Sequence, residues 1–139
     1  MGLMGLMGLI CLMGAEPNVR ALDVRGLQAG ATTALTVDGE GLEGARLLLP
    51  FAAKATARPG ATKNRVVFDV ALGDVPAQSC NLRVVADGGV SAPVAIAVDG
   101  LPQKPFAAEA ALPVALHGTL NGSSVLSTKF AGKAGEKVM

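Results

Sequence analysis

Residues 65–70 read Arg65-Val66-Val67-Phe68-Asp69-Val70, and the two sides of this run differ. Val66, Phe68 and Val70 fall on one side of an extended chain, and Arg65, Val67 and Asp69 on the other. Successive strand side chains point to opposite faces, so this period of two predicts a strand with one face in a core and the other toward water. The same period recurs on both sides of it. Upstream, Thr33, Leu35 and Val37 alternate with Thr32, Ala34 and Thr36. Leu47 and Leu49 follow Arg46 until Pro50, and Val19 and Ala21 open an edge strand that stops before Gly26. Downstream, Cys80, Leu82, Val84 and Ala86 alternate with Asn81, Arg83 and Val85, and Val94, Ile96 and Val98 form a further strand.

Turn-forming residues separate these runs. Asp38-Gly39, Pro59-Gly60, Asp87-Gly88-Gly89 and Asp99-Gly100 accept the backbone angles of tight connections. Helical periodicity is missing between the runs, and 18 Gly and eight Pro oppose long helices. The expectation is an all-β fold: an immunoglobulin-like antiparallel β-sandwich over residues 16–101, followed by an incomplete second β domain. With Trp and Tyr absent and only four Phe, its core is expected to be Val, Leu and Ala.

The composition changes abruptly at the N-terminal end. Residues 1–15, MGLMGLMGLICLMGA, carry no charge. They are too few for the roughly 20 apolar residues of a transmembrane helix but suit a signal peptide cleaved after Ala15. Two details depart from the usual pattern: the first basic residue is Arg20, and Met13 stands where a small residue is preferred. Cys11 follows Ile10, whereas a lipidated cysteine follows a small residue, so lipidation is not assigned. The expected location is secreted, periplasmic or cell-envelope, with no membrane span once the leader is removed.

Beyond Leu101 the pattern breaks. Residues 102–111 contain two prolines and an alanine-rich stretch and read as a linker. Over residues 112–139, Leu112 to Leu120 predicts a strand, Asn121-Gly122 a turn, Ser127 to Phe130 a second strand, and Lys137-Val138 the start of a third. So short a piece buries too little to form a sandwich of its own, so the chain is expected to be a fragment of a longer protein.

Two stretches carry a family resemblance. GLQAGATTALTVDGEGLEGARLLLP, with NLRVVADGGVSAPVAIAVDGLP, resembles the Ig-like, IPT/TIG-type repeats of secreted bacterial proteins. Gly26, Gly30, Gly39, Gly41, Leu42, Leu82, Arg83, Val84, Gly89, Val90 and Ser91 carry that pattern. LPVALHGTLNGSSVLSTKFAGKAGEKV resembles the opening of a bacterial pre-peptidase C-terminal domain through Leu112, Pro113, Gly118, Leu120, Phe130, Lys133, Ala134 and Gly135. It departs from that family where His117 replaces an Asn and Ser127 an Asp, which removes a carboxylate that calcium would need. Together the resemblances imply a large exported protein and say little about activity.

Chemistry-bearing residues are sparse. Lys and Arg total 12 against 11 Asp and Glu, spread along the chain, so no basic stripe for nucleic acid exists. His117 is the only histidine, and Ser123 and Ser124 are its nearest serines across the Asn121-Gly122 turn. It reads as a strand histidine facing water. Cys80 shares the face of Leu82 and Val84 and reads as an inert core thiol. Asp38, Glu40 and Glu43 gather in one glycine-rich loop, but without the alternating rhythm of an EF-hand they read as a solvated turn. Lys54, Arg58, Lys63 and Arg65 read as a solvated basic loop.

No catalytic, cofactor-binding or metal-ligating residue is assigned. The expectation is a non-enzymatic exported module for adhesion, spacing or binding, belonging to a larger envelope or extracellular protein. The alternative is an accessory region of a secreted hydrolase or peptidase. The sequence leaves the partner open; other envelope or extracellular proteins, or polysaccharide, are the classes compatible with export.

Overall fold

The computed structural model describes residues 16–137. The leader over residues 1–15, Cys11 within it, and Val138 lie outside the described residues. All regular structure among the described residues is extended, in eleven strands. They are β1 (Asn18–Leu22), β2 (Gly26–Gln28), β3 (Thr32–Glu40), β4 (Arg46–Leu48), β5 (Ala53–Ala57), β6 (Arg65–Leu72), β7 (Gln78–Ala86), β8 (Gly89–Val90), β9 (Val94–Asp99), β10 (Gln103–Pro105) and β11 (Ala115–His117). The fold is all-β.

The first nine strands make two sheets, ordered β1-β3-β6-β5 and β2-β9-β7-β4, with β8 hairpinned onto β7. This division is that of an immunoglobulin-type sandwich: first, second, fifth and fourth positions on one sheet, third, sixth and seventh on the other. The first position is split, because β2 crosses over and pairs parallel to β9, Gly26 opposite Ala97 and Leu27 opposite Val98.

Alternation places the core. β3 and β6 pair antiparallel from Thr32 opposite Ala71 to Asp38 opposite Arg65, which sets Leu35 against Phe68 and Val37 against Val66 on the inner face. Facing them across the sandwich are Leu27, Leu82, Val84, Ile96 and Val98, all buried in the same cluster. Phe68 is the largest side chain fully withdrawn from water. Burial of such side chains, at about 1.5–3 kcal/mol each, is the main favourable contribution to folding.

Among the described residues two polar side chains, Thr33 and Ser91, are also buried, and each accepts a backbone amide. The hydroxyl of Thr33 accepts from the Gln28 amide at 3.0 Å. The hydroxyl of Ser91 accepts from the Val84 amide at 2.9 Å and donates to the Ala92 carbonyl at 2.9 Å, fastening the chain where it leaves β8.

The outer face of the β1-β3-β6-β5 sheet is crossed by ion pairs. Arg20 of β1 meets Glu40 of β3, Arg65 of β6 meets Asp38 of β3 at 2.5 Å, and Arg58, just past β5, meets Asp69 of β6 at 2.6 Å. Each pair bridges neighbouring strands.

Three expectations are corrected here. Asp38-Gly39 is not a turn: β3 continues through Glu40, and β1 passes so close that a Cβ on Gly39 would fall on the Asn18 carbonyl. The chain reverses afterwards, at Gly41 and Gly44, with φ of 66° and 64°. The stretch holding Lys54 is not wholly loop, because β5 pairs with β6 from Ala53 opposite Leu72 to Ala57 opposite Phe68. Ser127 to Phe130 forms a single bridge, Glu109 with Lys129, in place of a strand.

The segment after Leu101, expected to open with a linker over residues 102–111, carries strand pairing. β10 lies within it and pairs parallel to β11, Gln103 opposite Ala115 and Pro105 opposite His117. Farther along, Leu120, Val125, Leu126 and Phe130 remain exposed. Hydrogen bonds tie this segment to the sandwich.

Candidate functional site

His117 ends β11 beside the β1–β2 connection, where Leu22, Asp23, Arg25, Leu116, His117, Gly118 and Thr119 line an open cleft of about 360 Å³. The imidazole is half-buried and engages neighbours through both nitrogens. The backbone N–H of Arg25 donates to Nδ1 at 3.1 Å. An accepting Nδ1 carries no proton, so in the neutral ring Nε2 does, and it donates to Oε1 of Gln103 at 2.7 Å.

Gln103 is held from its other end. Its Nε2 donates to Oδ1 of Asp99 at 2.8 Å and to the Leu101 carbonyl at 2.7 Å. Asp99 Oδ1 also accepts the Leu101 amide at 2.8 Å, closing the turn that the Asp99-Gly100 pair predicts. A continuous relay therefore runs from Arg25 through His117 and Gln103 to Asp99. It links the entry to β2, both strands of the C-terminal segment and the end of β9. Gly26 makes room for it, since a Cβ there would overlap the Gln103 side chain.

Burial is the main influence on the imidazole and pushes its pKa below the ordinary histidine value, while Asp99 and Asp23 oppose the shift. Asp23 is itself tied into the backbone: its Oδ1 accepts the Thr36 amide at 2.7 Å and the Val24 amide at 2.9 Å. The neutral ring acts here as a bracket between main chain and amide. A strand histidine facing water was expected; the residue is in a strand, but the β1–β2 connection and Gln103 cover it. Of its two sequence-near serines, Ser124 is occupied elsewhere, because its Oγ donates to the Asn121 carbonyl at 2.7 Å.

The remaining candidate residues do not converge. Asp38 and Glu40 are each paired with an arginine, and Glu43 stands apart on an exposed turn. Among the described residues, no group of three or more His, Cys, Asp or Glu side chains is placed to hold a metal ion. Of the basic residues, Arg58 and Arg65 serve ion pairs with Asp69 and Asp38, Lys54 lies on the exposed β5 and Lys63 in the exposed connection to β6. Cys80 is half-buried against the core, and burial pushes its thiol up from the ordinary value, which disfavours the reactive thiolate.

Sequence reasoning missed Arg25, Gly26, Asp99 and Gln103 as parts of one site. Asp99-Gly100 signalled a turn and Gly26 a strand end, but nothing local signalled that Gln103 folds back over Gly26. No protein-family model matches this chain, and no curated protein matches it significantly.

Proposed function

We propose that this chain is a non-catalytic exported module of a cell-envelope or extracellular protein, acting as a spacer or binding unit. The observation that carries the reading is the use of its one imidazole. Nδ1 of His117 fastens the C-terminal segment to the sandwich at Arg25 and Nε2 holds Gln103 within that segment, so the group best suited to proton transfer near neutral pH works as a structural joint. A module that spaces or presents neighbours needs a fixed angle between consecutive units, and a hydrogen-bonded joint supplies one.

Export is supported by the uncharged leader-like stretch before Glu16. The resemblance to IPT/TIG-type repeats and to the opening of a pre-peptidase C-terminal domain supports the same setting.

The test uses the whole chain in a bacterial host. A mature product beginning at Glu16 and found outside the cytoplasm is expected. An uncleaved product retained in the cytoplasm overturns export. The purified chain is expected to leave peptide substrates intact, and hydrolysis abolished by His117→Ala overturns the non-catalytic reading.

A further inference from the structure

We propose that the joint between the sandwich and the C-terminal segment is an acid-released latch whose trigger is the ring of His117. The geometry makes the two ring nitrogens unequal. Nδ1 accepts the Arg25 N–H at 3.1 Å, a bond that requires an unprotonated nitrogen. Nε2 donates to Gln103 Oε1 at 2.7 Å, a bond that an imidazolium makes equally well. Adding a proton therefore sets one N–H against another at Arg25 and leaves the contact to Gln103 intact. Arg25 leads into the sandwich strand β2, whereas Gln103 belongs to the same segment as His117. Acid thus cuts the attachment at Arg25 and spares the contact to Gln103, with its onward bond to Asp99.

The charged groups around the ring come from each element packed against it. Asp23 and Arg25 lie on the β1–β2 connection, and Asp99 ends β9. On β10, Lys104 is the register partner of Leu116 and so alternates to the side opposite His117. The two carboxylates favour the imidazolium, but the burial that the joint imposes outweighs them. The sign follows. A histidine with its folded value below about 6.5 contributes stability that is complete above that value and is lost as pH falls through the folded one. The latch is closed at neutral pH and opens on the acid side.

The inference rests on the joint that underlies the spacer reading and adds a condition under which it yields. A single histidine gives one set of ring signals, so an NMR titration of the full chain reads the trigger directly. The expected midpoint lies below the ordinary histidine value. Hydrogen-exchange protection at the Arg25 amide and at those of Gln103, Lys104 and Ala115–His117, corrected for intrinsic rates, is expected to fall about fivefold across the same interval. In His117→Asn the side-chain oxygen can accept from Arg25 without titrating, and this fall is expected to vanish. A wild-type midpoint at or above the ordinary value, or protection unchanged through the midpoint, overturns the latch while leaving the spacer reading standing. An equal fall in His117→Asn also overturns it. A segment already unprotected at neutral pH overturns both readings.

Discussion

The side-chain amide of Gln103 occupies the volume that a Cβ on Gly26 would need. A glycine in the first strand of one sheet is therefore matched to a side chain beyond Leu101, and the fit places Gln103 between His117 and Asp99. Gly26→Ala forces the flexible amide aside without displacing the backbone, so the loss falls on its hydrogen bonds. We expect about 1–2 kcal/mol less stability for the joint, read as faster hydrogen exchange in the C-terminal strands with core amides unchanged.

Gly39 presents a harder obstacle. An alanine there meets the carbonyl of Asn18, which belongs to backbone and cannot rotate away. Gly39→Ala is expected to cost about 1–3 kcal/mol through displacement of β1. At Gly73, where an added Cβ meets nothing, alanine is expected to change stability by less than about 0.5 kcal/mol. Chemical denaturation of the two variants checks the contrast.

Ser91→Ala removes the acceptor for the buried Val84 amide. A buried donor left without a partner costs about 1–3 kcal/mol, so the melting temperature is expected to fall by several degrees. Ser91→Thr keeps the hydroxyl and is expected to recover part of the loss.

The ion pair at Asp69 sets an acid dependence separate from that of His117. Its hydrogen bonds with Arg58 hold the Asp69 carboxyl below the ordinary range. That contribution is complete above about 3.9 and is lost as pH falls through the lower folded value. Stability measured between pH 5 and 2 is expected to decline less steeply in Asp69→Asn. Because the pair is exposed, added salt is expected to shrink the difference.

Most of the sandwich was legible in the residues themselves. The alternation around Phe68, Leu35 and Leu82 identified strands and their buried faces, because a half-buried strand must repeat every two residues. Short polar edges were not: β5 reads Ala53-Lys54-Ala55-Thr56-Ala57, buries little and leaves no apolar stripe to read. Asp38-Gly39 misled for a related reason. The same dipeptide that favours a turn also permits close approach of another strand, and only the neighbour's position separates the two.

The sequence by itself determined that the chain is all-β and which faces of β3, β6, β7 and β9 turn inward, since both follow from local periodicity. The burial of Val24, Leu27 and Leu42 was decided by the fold. Only the tertiary structure decided that Arg25, Asp99, Gln103 and His117 form one relay. Those residues stand as far as 92 positions apart, and hydrogen bonds over such separations depend on where folding carries each strand end, which no local pattern encodes.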